Sequence, residues 1–269
     1  MQGVRGSSPL SSTERKNPLT GIGGGIFRAR GGSASRRPGR RRRMGSMGPV
    51  LEPTNAPHTL EHCPMERLVI APHMDDESMG CGGLLAKFPD ECTVVVVAAG
   101  DETRSREFRS AMEVLGVRRT RELNLPDGAV GADMPTLVRL LDEICAQVRP
   151  DELYLPFPSL HQDHISVYEA GMRTARLSMS PEHWSAPSVL VYDVAVYDVN
   201  LYPSDLRWNT FEPLSEEQAE RKARACRCYE SEIPGENHPI TAIKDLAAGL
   251  GRVRGVAYAE QYALVRHVR

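Results

Sequence analysis

Two short segments of the chain concentrate side chains that can bind a metal ion or move a proton. The first, APHMDDE at 71–77, places one imidazole and three carboxylates within five residues. The second, HQDH at 161–164, adds two imidazoles and another carboxylate. Neighbouring carboxylates repel one another, and a bound cation relieves that repulsion. Together the segments predict a metal site, against the alternatives of a solvated acidic turn and two ordinary histidines.

The residue types favour a catalytic metal site over a structural one. On a loop after a strand, His73 and Asp76 can converge on one ion while Asp75 projects to another side. If a helix begins at the second segment, His161 and His164 share one of its faces. Two histidines and one carboxylate leave positions open for water and substrate, which is typical of catalytic zinc, although these ligands also permit iron, manganese, cobalt or nickel.

The elements that must position these side chains follow an alternating pattern. Apolar runs at Leu68–Ala71, Thr93–Ala99 and Glu152–Pro156 are typical of buried parallel strands. Helical stretches at Ser105–Leu115 and Pro135–Val148 lie between them. The alternation predicts an α/β, Rossmann-like three-layer fold with a mostly parallel sheet. Ligands bind outside the carboxyl ends of strands in such sheets, where both segments fall.

The carboxyl-terminal third is less regular. Val189–Val199 is predicted to supply further strands at one edge of the sheet. Ser215 and Gln218 have the spacing of a capping box, which predicts a helix running to about Ser231. The final stretch, Tyr258–Val268, fits a helix or a strand, and the pattern does not decide between them.

The amino-terminal segment differs in composition from the rest. Residues 1–47 carry a net charge of +10 and the remainder a net charge of −12. We predict a disordered Arg/Gly/Ser-rich extension over 1–50, followed by one catalytic domain over 51–269. The extension is interpreted as a solvated tail, as a misassigned start with translation beginning at Met44 or Met47, or as a nucleic-acid or targeting arm. The acidic body argues against nucleic acid as the main partner.

Composition also limits the cellular setting. The six cysteines are scattered and form no CxxC pair, which indicates reduced thiols in a cytosolic protein. The longest apolar run, Cys92–Ala99, is too short to cross a bilayer. We therefore expect a cytoplasmic protein without membrane insertion, and homo-oligomerisation stays open.

The motifs resemble those of a known family. APHMDDE is similar to the [A/P]-H-x-D-D-E motif of the LmbE-like, or PIG-L-type, N-acetylglucosaminyl deacetylases, and HQDH resembles their second motif, usually HPDH. The resemblance extends over roughly Arg67–Arg269. Three further segments resemble family features: a glycine turn at Gly80–Gly83, an R-x-x-E…LG helix at Arg104–Gly116, and an LPDG turn at Leu125–Gly128.

The resemblance implies an LmbE-like deacetylase fold and a role for each matching residue. It implies one zinc ion per chain at His73, Asp76 and His164, with Asp75 as general base. It also implies the following further roles: oxyanion stabilisation by His161, orientation of a histidine by Asp163, and contacts to the sugar by Arg104 and Asp127. Gln162 departs from the family's proline, and the loop 157–160 lacks the Gly-Tyr of some members, which leaves the oxyanion loop and the choice of substrate open.

The resulting functional hypothesis is a zinc-dependent deacetylase. It would hydrolyse the N-acetyl, or N-acyl, amide of a glucosamine-containing small molecule or glycoconjugate. The alternative is a metal-dependent amidase that acts on a non-sugar acylated amine or thiol conjugate in secondary metabolism. A dinucleotide-binding oxidoreductase is disfavoured because Leu85 replaces the last glycine of G-x-G-x-x-G. A non-catalytic binding protein would have no need of Asp75.

Overall fold

The computed structural model describes residues 64–194, 204–233, 235 and 239–268. The predicted extension over 1–50 and the start of the domain at 51–63 lie outside these residues. The elements are, in chain order, β1 (Arg67–Ala71), α1 (Asp76–Lys87), β2 (Cys92–Ala98), α2 (Glu102–Leu115), β3 (Arg119–Leu125), α3 (Met134–Val148), β4 (Glu152–Pro156), α4 (Gln162–Thr174), β5 (Ser188–Tyr192), β6 (Thr210–Leu214), α5 (Glu216–Cys226), α6 (Ile243–Arg252) and β7 (Tyr258–His267), with 3₁₀ turns at Glu230–Glu232 and Pro239–Ala242.

The strands form one mostly parallel sheet in the order β3-β2-β1-β4-β5-β7-β6. Strands β1 to β5 pair in parallel, and β7 pairs antiparallel with both β5 and β6. Helices cover both faces: α1, α2, α5 and α6 contribute to one apolar core, and α3 and α4 contribute to the other. The predicted Rossmann-like three-layer fold is therefore confirmed. Among the described residues, no helix has the length and apolarity needed to span a bilayer.

The order of the strands determines where a ligand can bind. From β1 the chain builds outward to β2 and β3, and then returns to place β4 and β5 on the opposite side of β1. This reversal is a topological switch point, where the loops after β1 and β4 separate and leave a crevice at the carboxyl ends of the strands. The APHMDDE and HQDH segments follow these two strands, so the fold brings the two predicted clusters to one place.

The carboxyl-terminal third departs from the sequence prediction in three places. Strand β5 (Ser188–Tyr192) lies inside the sheet between β4 and β7 instead of at an edge, and 195–199 lie outside the described residues. The Ser215 capping box is confirmed, but its helix ends at Cys226, five residues before the predicted end. The undecided final stretch is the strand Tyr258–His267.

Both edge strands, β3 and β6, were missed by the sequence prediction. Strand β3 has the sequence RTRELNL and is mostly exposed, and β6 contains Pro213. Edge strands of natural proteins often carry charges and proline because these residues block pairing with other chains. Such residues also remove the apolar run by which the buried strands were recognised.

The predicted glycine turn at Gly80–Gly83 is wrong, because these residues lie within the buried helix α1. Their lack of side chains allows close packing instead. A Cβ atom on Gly83 would lie 2.3 Å from Leu214 Cδ1 and 2.9 Å from the Glu260 carboxyl carbon. The Glu260 carboxylate accepts hydrogen bonds from the N–H groups of Gly83 and Leu84, both at 2.7 Å, and so ties α1 to β7.

Substitution of Gly83 by alanine tests this packing. We expect Gly83→Ala to lower the free energy of unfolding by roughly 1–3 kcal/mol, since the added methyl group overpacks the contact with Glu260. Gly249→Ala is the matched control: it lies in α6 with no atom within 4 Å of the added Cβ, and should stabilise the helix by about 0.5–1 kcal/mol. Urea unfolding measures both values. Equal stability of the two variants would contradict the proposed packing.

Candidate metal centre

The APHMDDE segment forms a tight turn from the end of β1 into α1. The backbone N–H of His73 donates to Asp76 Oδ2 at 2.9 Å, which folds the turn back on itself. Asp75 occupies the position before the first helical residue with φ = 140°, a value that non-glycine residues rarely adopt. Backbone strain of this kind costs on the order of 1–3 kcal/mol and clusters at functional sites. The turn therefore presents Asp75 in a fixed, strained orientation.

Glu77 stabilises this turn through hydrogen bonds. Its side chain is fully buried, and its Oε2 accepts the backbone N–H of Asp75 at 3.0 Å. Its Oε1 accepts the hydroxyl groups of Ser78, at 2.7 Å, and Tyr229. Burial raises the pKa of Glu77, while these hydrogen bonds act in the opposite direction. The third carboxylate of the cluster thus supports the backbone and does not face the metal site.

The HQDH segment forms the start of α4, as the sequence suggested. His161 is the residue before the first helical turn, and its Nδ1 accepts the backbone N–H of Asp163 at 3.3 Å. Asp163 and His164 lie in that turn and are buried, whereas His161 is exposed. The rings of His161 and His164 lie 4.8 Å and 5.2 Å from that of His73. The three imidazoles of the two segments therefore converge.

Asp76 lies close enough to each of the two predicted histidine ligands to share a small divalent ion with them. Asp76 Oδ2 is 3.3 Å from His73 Nδ1 and 3.3 Å from His164 Nε2. In a tetrahedral zinc site with bonds of 2.0–2.2 Å, neighbouring ligand atoms lie roughly 3.3–3.6 Å apart. The donor types and their spacing therefore fit a bound metal ion.

Two other groups of side chains bring three ligand atoms mutually close. The ligand atoms of His73, His161 and His164 lie within 4.8 Å of one another, and so do those of His73, Asp127 and Asp163. An all-histidine site would use the first group instead of Asp76. Asp76 brings a negative charge that the three histidines lack, and it is buried between His73 and His164, whereas Asp127 is exposed, so we favour the set with Asp76.

The charges around these residues also favour a cation at this position. Burial alone would lower the pKa of His73, but Asp76 and Asp163 outweigh it and raise the pKa to about 9. Burial would raise the pKa of Asp76, yet the neighbouring His164 and His73 lower it well below its usual range. Without metal, the neighbouring carboxylates accordingly stabilise positive charge on the His73 ring, and a divalent ion would supply that charge instead.

Asp163 contacts the ring of His73 on the side away from Asp76. Its Oδ2 lies 3.2 Å from His73 Nε2, and its two carboxylate oxygens accept the N–H groups of Gly128 and Val130. The carboxylate fixes the His73 ring so that Nδ1 faces Asp76. The histidine that Asp163 is placed to orient is thus His73. For His164, the structure describes no hydrogen-bond partner of Nδ1.

Asp75 lies beside the ligands but faces Arg104. Arg104 Nη2 is 3.4 Å from Asp75 Oδ2 and also donates to the carbonyl oxygen of Met74. Burial raises the pKa of Asp75 well above its usual range, and the nearby Asp76 adds to the increase, while Arg104 opposes it. A carboxyl group with a raised pKa holds a proton more readily than an exposed one, which suits a residue that takes up and returns a proton.

These residues line a cavity of about 680 Å³ at the carboxyl ends of the strands. This volume falls within the range of small-molecule sites, roughly 300–1,000 Å³. Arg104 and Asp127, which the resemblance assigns to the sugar, both lie in its wall. Asp127 is exposed, with Oδ1 3.3 Å from His73 Nε2. The guanidinium of Arg104 also pairs with Glu232 at 3.1 Å.

Sequence analysis missed three acidic residues of this cavity: Asp101 before α2, and Asp193 and Glu232 from the second half of the chain. Asp193 directly follows strand β5, and the rule that ligands bind at the carboxyl ends of strands would have found it. Glu232 lies in the 3₁₀ turn Glu230–Glu232, for which the sequence gives no comparable signal. The predicted site was therefore incomplete on the side formed by the second half of the chain.

The fold and the site together define a Rossmann-like enzyme with a candidate catalytic metal centre at the switch point of its sheet. Residues 68–175 match the family model described as PIG-L: GlcNAc-PI de-N-acetylase. The matched segment runs from β1 to the end of α4 and contains both motifs. This segment therefore matches a PIG-L-type, LmbE-like domain, as its motifs indicated, and the matches indicate a hydrolase that acts on N-acetyl amide bonds.

Individual proteins that are similar to this chain are also deacetylases by name. The uncharacterised deacetylase YaiS of Escherichia coli (strain K12) is 26% identical over 179 residues, covering 61% of this chain and 90% of YaiS. A 1D-myo-inositol 2-acetamido-2-deoxy-α-D-glucopyranoside deacetylase of Kineococcus radiotolerans is 25% identical and covers 51% of this chain, which spans only 52% of that relative. The N,N′-diacetylchitobiose deacetylase of Pyrococcus horikoshii has the same fold, with a TM-score of 0.59, 20% identity, and coverage of 74% of this chain and 83% of that one.

Zinc titration distinguishes the two ligand sets that share His73 and His164. If Asp76 is the third ligand, Asp76→Ala should weaken zinc binding by more than the roughly 10–100-fold that loss of a second-shell partner costs. His161→Ala should bind zinc nearly as well as the unmodified protein. Isothermal titration calorimetry measures both affinities. The reverse pattern, with weak binding only in His161→Ala, would assign the site to the three histidines.

Proposed function

We propose that the protein is a zinc-dependent deacetylase that hydrolyses the N-acetyl amide of a glucosamine-containing small molecule or glycoconjugate. The observation that carries this proposal is the convergence of His73, Asp76 and His164 in the cavity, with Asp75 at their side. The match to a GlcNAc-PI de-N-acetylase model over both motifs supports the sugar. So does the acetamido sugar named for the Kineococcus relative.

We infer zinc, one ion per chain, from the donor set. Two histidine nitrogens and one carboxylate oxygen are a common ligand set of catalytic zinc, and they leave a position open for water and substrate. Other divalent transition metals accept the same donors. When bound, zinc supplies Lewis acidity toward a carbonyl oxygen and lowers the pKa of a coordinated water to about 7.

Asp75 is the proposed general base. Its carboxylate accepts a proton from the attacking water, and it can then return that proton to the departing amine. Arg104 and the strained backbone at Asp75 hold the carboxylate toward the cavity. Glu77 contributes by fixing the Asp75 backbone N–H. In this arrangement the three consecutive acids have separate roles, as base, ligand and support.

His161 is the proposed hydrogen-bond donor to the oxygen of the attacked carbonyl. Because its Nδ1 accepts the Asp163 backbone N–H, the ring proton belongs on Nε2 in the neutral form. Burial lowers the pKa of His161, and the nearby His73 and His164 lower it further, which favours the neutral ring. A neutral imidazole with its proton on Nε2 can donate to the developing negative charge, so the role does not require protonated His161.

The substrate contacts of Arg104 and Asp127 remain proposals. Asp127 offers an exposed carboxylate to sugar hydroxyl groups at the mouth of the cavity. Arg104 already contacts Met74, Asp75 and Glu232, so we assign it first to positioning the base. A cytoplasmic location is likewise proposed, supported by the scattered cysteines, of which five lie in the described residues as free thiols.

Two substitutions separate the base from the ligands. Asp75→Asn should keep most zinc binding and lose most turnover, because the amide cannot accept the proton from water. His164→Ala should lose both the metal and turnover. Release of free amine from N-acetylglucosaminides measures turnover, and the zinc content of the dialysed protein measures binding. Activity like that of the unmodified protein in both variants would overturn the assignment.

His161→Ala tests the donor to the carbonyl oxygen. Loss of a single such donor typically lowers kcat about 10²–10³-fold. We expect a decrease of this size with zinc content unchanged, since His161 is not among the proposed ligands. His183→Ala, a substitution outside the cavity lining, is the control and should retain kcat. A decrease in kcat that follows loss of zinc would instead make His161 a ligand.

A further inference from the structure

Tyr229 is a buried tyrosine that reaches the turn of the candidate metal centre from a distant part of the chain. Its side chain is fully buried, and its hydroxyl group donates to Glu77 Oε1. Two further donors to Glu77, the hydroxyl group of Ser78 and the backbone N–H of Asp75, belong to the same turn as Glu77 itself. Tyr229 therefore ties this carboxylate to a separate element, 152 residues later in the chain.

The hydroxyl group of Tyr229 restricts the orientation of the Glu77 carboxylate. Burial and the neighbouring Glu77 raise the pKa of Tyr229 well above its usual range, so the hydroxyl group keeps its proton and donates. The terminal torsion of a glutamate side chain is broad unless its oxygens are held. With Oε1 bound to Tyr229, Oε2 stays directed at the backbone N–H of Asp75. The strained backbone of Asp75, with φ = 140°, depends on such support.

The ring of Tyr229 lies beside the other partner of the proposed base. The guanidinium carbon of Arg104 is 5.5 Å from the centre of the Tyr229 ring, within the distance of roughly 6 Å at which a cation is attracted to a ring. Arg104 Nη2 in turn lies 3.4 Å from Asp75 Oδ2. A single tyrosine thus contacts both Glu77, which binds the backbone of Asp75, and Arg104, which pairs with its carboxylate.

The segment that follows Tyr229 is attached to α2, the helix that carries Arg104. The backbone N–H and the hydroxyl group of Ser231 donate to the two carboxylate oxygens of Glu107, at 2.9 Å and 2.6 Å. Glu232 Oε1 lies 3.1 Å from Arg104 Nη1. Because Glu107 and Arg104 are three residues apart on α2, these contacts fix the segment after Tyr229 relative to Arg104.

We propose that Tyr229 is a positioning residue for the general base. Its hydroxyl group acts through Glu77 and holds the backbone of Asp75 in the orientation that directs the Asp75 carboxylate to the metal centre. The inference rests on the proposed deacetylase function. Tyr229 is outside the lining of the cavity, so it affects the position of the base without touching the substrate. Its loss should therefore lower kcat and leave KM unchanged.

Tyr229→Phe tests this role because it removes the hydroxyl group and keeps the buried ring beside Arg104. A displacement of about 1 Å in a catalytic group can cost about 10²-fold in rate, and Ser78 still binds Glu77 Oε1 in the variant, so we expect kcat to fall about tenfold. KM and the zinc content should stay unchanged. Amine release from the methyl glycoside of N-acetylglucosamine by the zinc-loaded full chain gives kcat and KM.

Tyr154→Phe is the matched control. Tyr154 is also buried, and its hydroxyl group donates to a glutamate, Glu152, at 2.8 Å, but neither residue lines the cavity. Both variants lose a hydrogen bond from a buried tyrosine to a carboxylate, so both should unfold at a lower urea concentration. Only Tyr229→Phe should lower kcat. The comparison separates loss of stability from loss of positioning.

A double-mutant cycle with Glu77→Gln shows whether Tyr229 acts through Glu77. Two residues that act through one contact have effects that do not add. Once Glu77→Gln has removed the carboxylate, adding Tyr229→Phe should lower kcat by clearly less than it does in the unmodified protein. A role of Tyr229 that is independent of Glu77 would give the same decrease in both backgrounds.

The outcomes separate this inference from the function on which it rests. Unchanged kcat in Tyr229→Phe, an equal decrease in Tyr154→Phe, or the same decrease with and without Glu77→Gln overturns the positioning role and leaves the deacetylase function intact. A decrease in kcat that follows loss of zinc also overturns it, because Tyr229 would then support the ligands. Absence of zinc-dependent amine release from the unmodified protein overturns the proposed function and this inference with it.

Discussion

Three consecutive carboxyl groups at the end of β1, of which Asp76 and Glu77 are buried and Asp75 is partly buried, are the constraint on which the rest of the site depends. Burying several acids together is costly unless each has its own partner. Asp76 has two imidazoles, Glu77 has two hydroxyl groups and a backbone N–H, and Asp75 has Arg104. These partners come from α2, α4 and the segment after α5, so the cluster ties distant parts of the chain to one turn. The same division of partners gives the three acids different chemical roles.

The fold makes this division possible because of its strand order. The loops after β1 and β4 separate at the switch point, and each delivers one half of the candidate metal centre. The second half of the sheet adds Asp193 after β5, and the packing of α1 against β7 through Glu260 fixes the helix that carries Asp76.

Sequence patterns predicted the central strands because buried strands have apolar runs. They predicted the two motif segments because histidine and acidic residues rarely occur so close together in a sequence. They did not predict β3 and β6, whose charged residues and proline reflect exposed edges. They placed a turn at Gly80–Gly83. The structure has a helix there, and its glycines allow neighbouring elements to pack closely. Spacing alone also did not reveal that Glu77 faces away from the metal, since that depends on Tyr229, which lies 152 residues later in the chain.

The central claim is that a metal ion at this turn, with Asp75 beside it, hydrolyses an N-acetyl amide. The most direct test is to remove bound metal from the full chain with a chelator, return one equivalent of zinc, and follow amine and acetate release from N-acetylglucosaminides. The account predicts that both products are released in equal amounts, that release stops in the chelated protein, and that it returns with zinc. Equal release from the chelated and the zinc-loaded protein would contradict it.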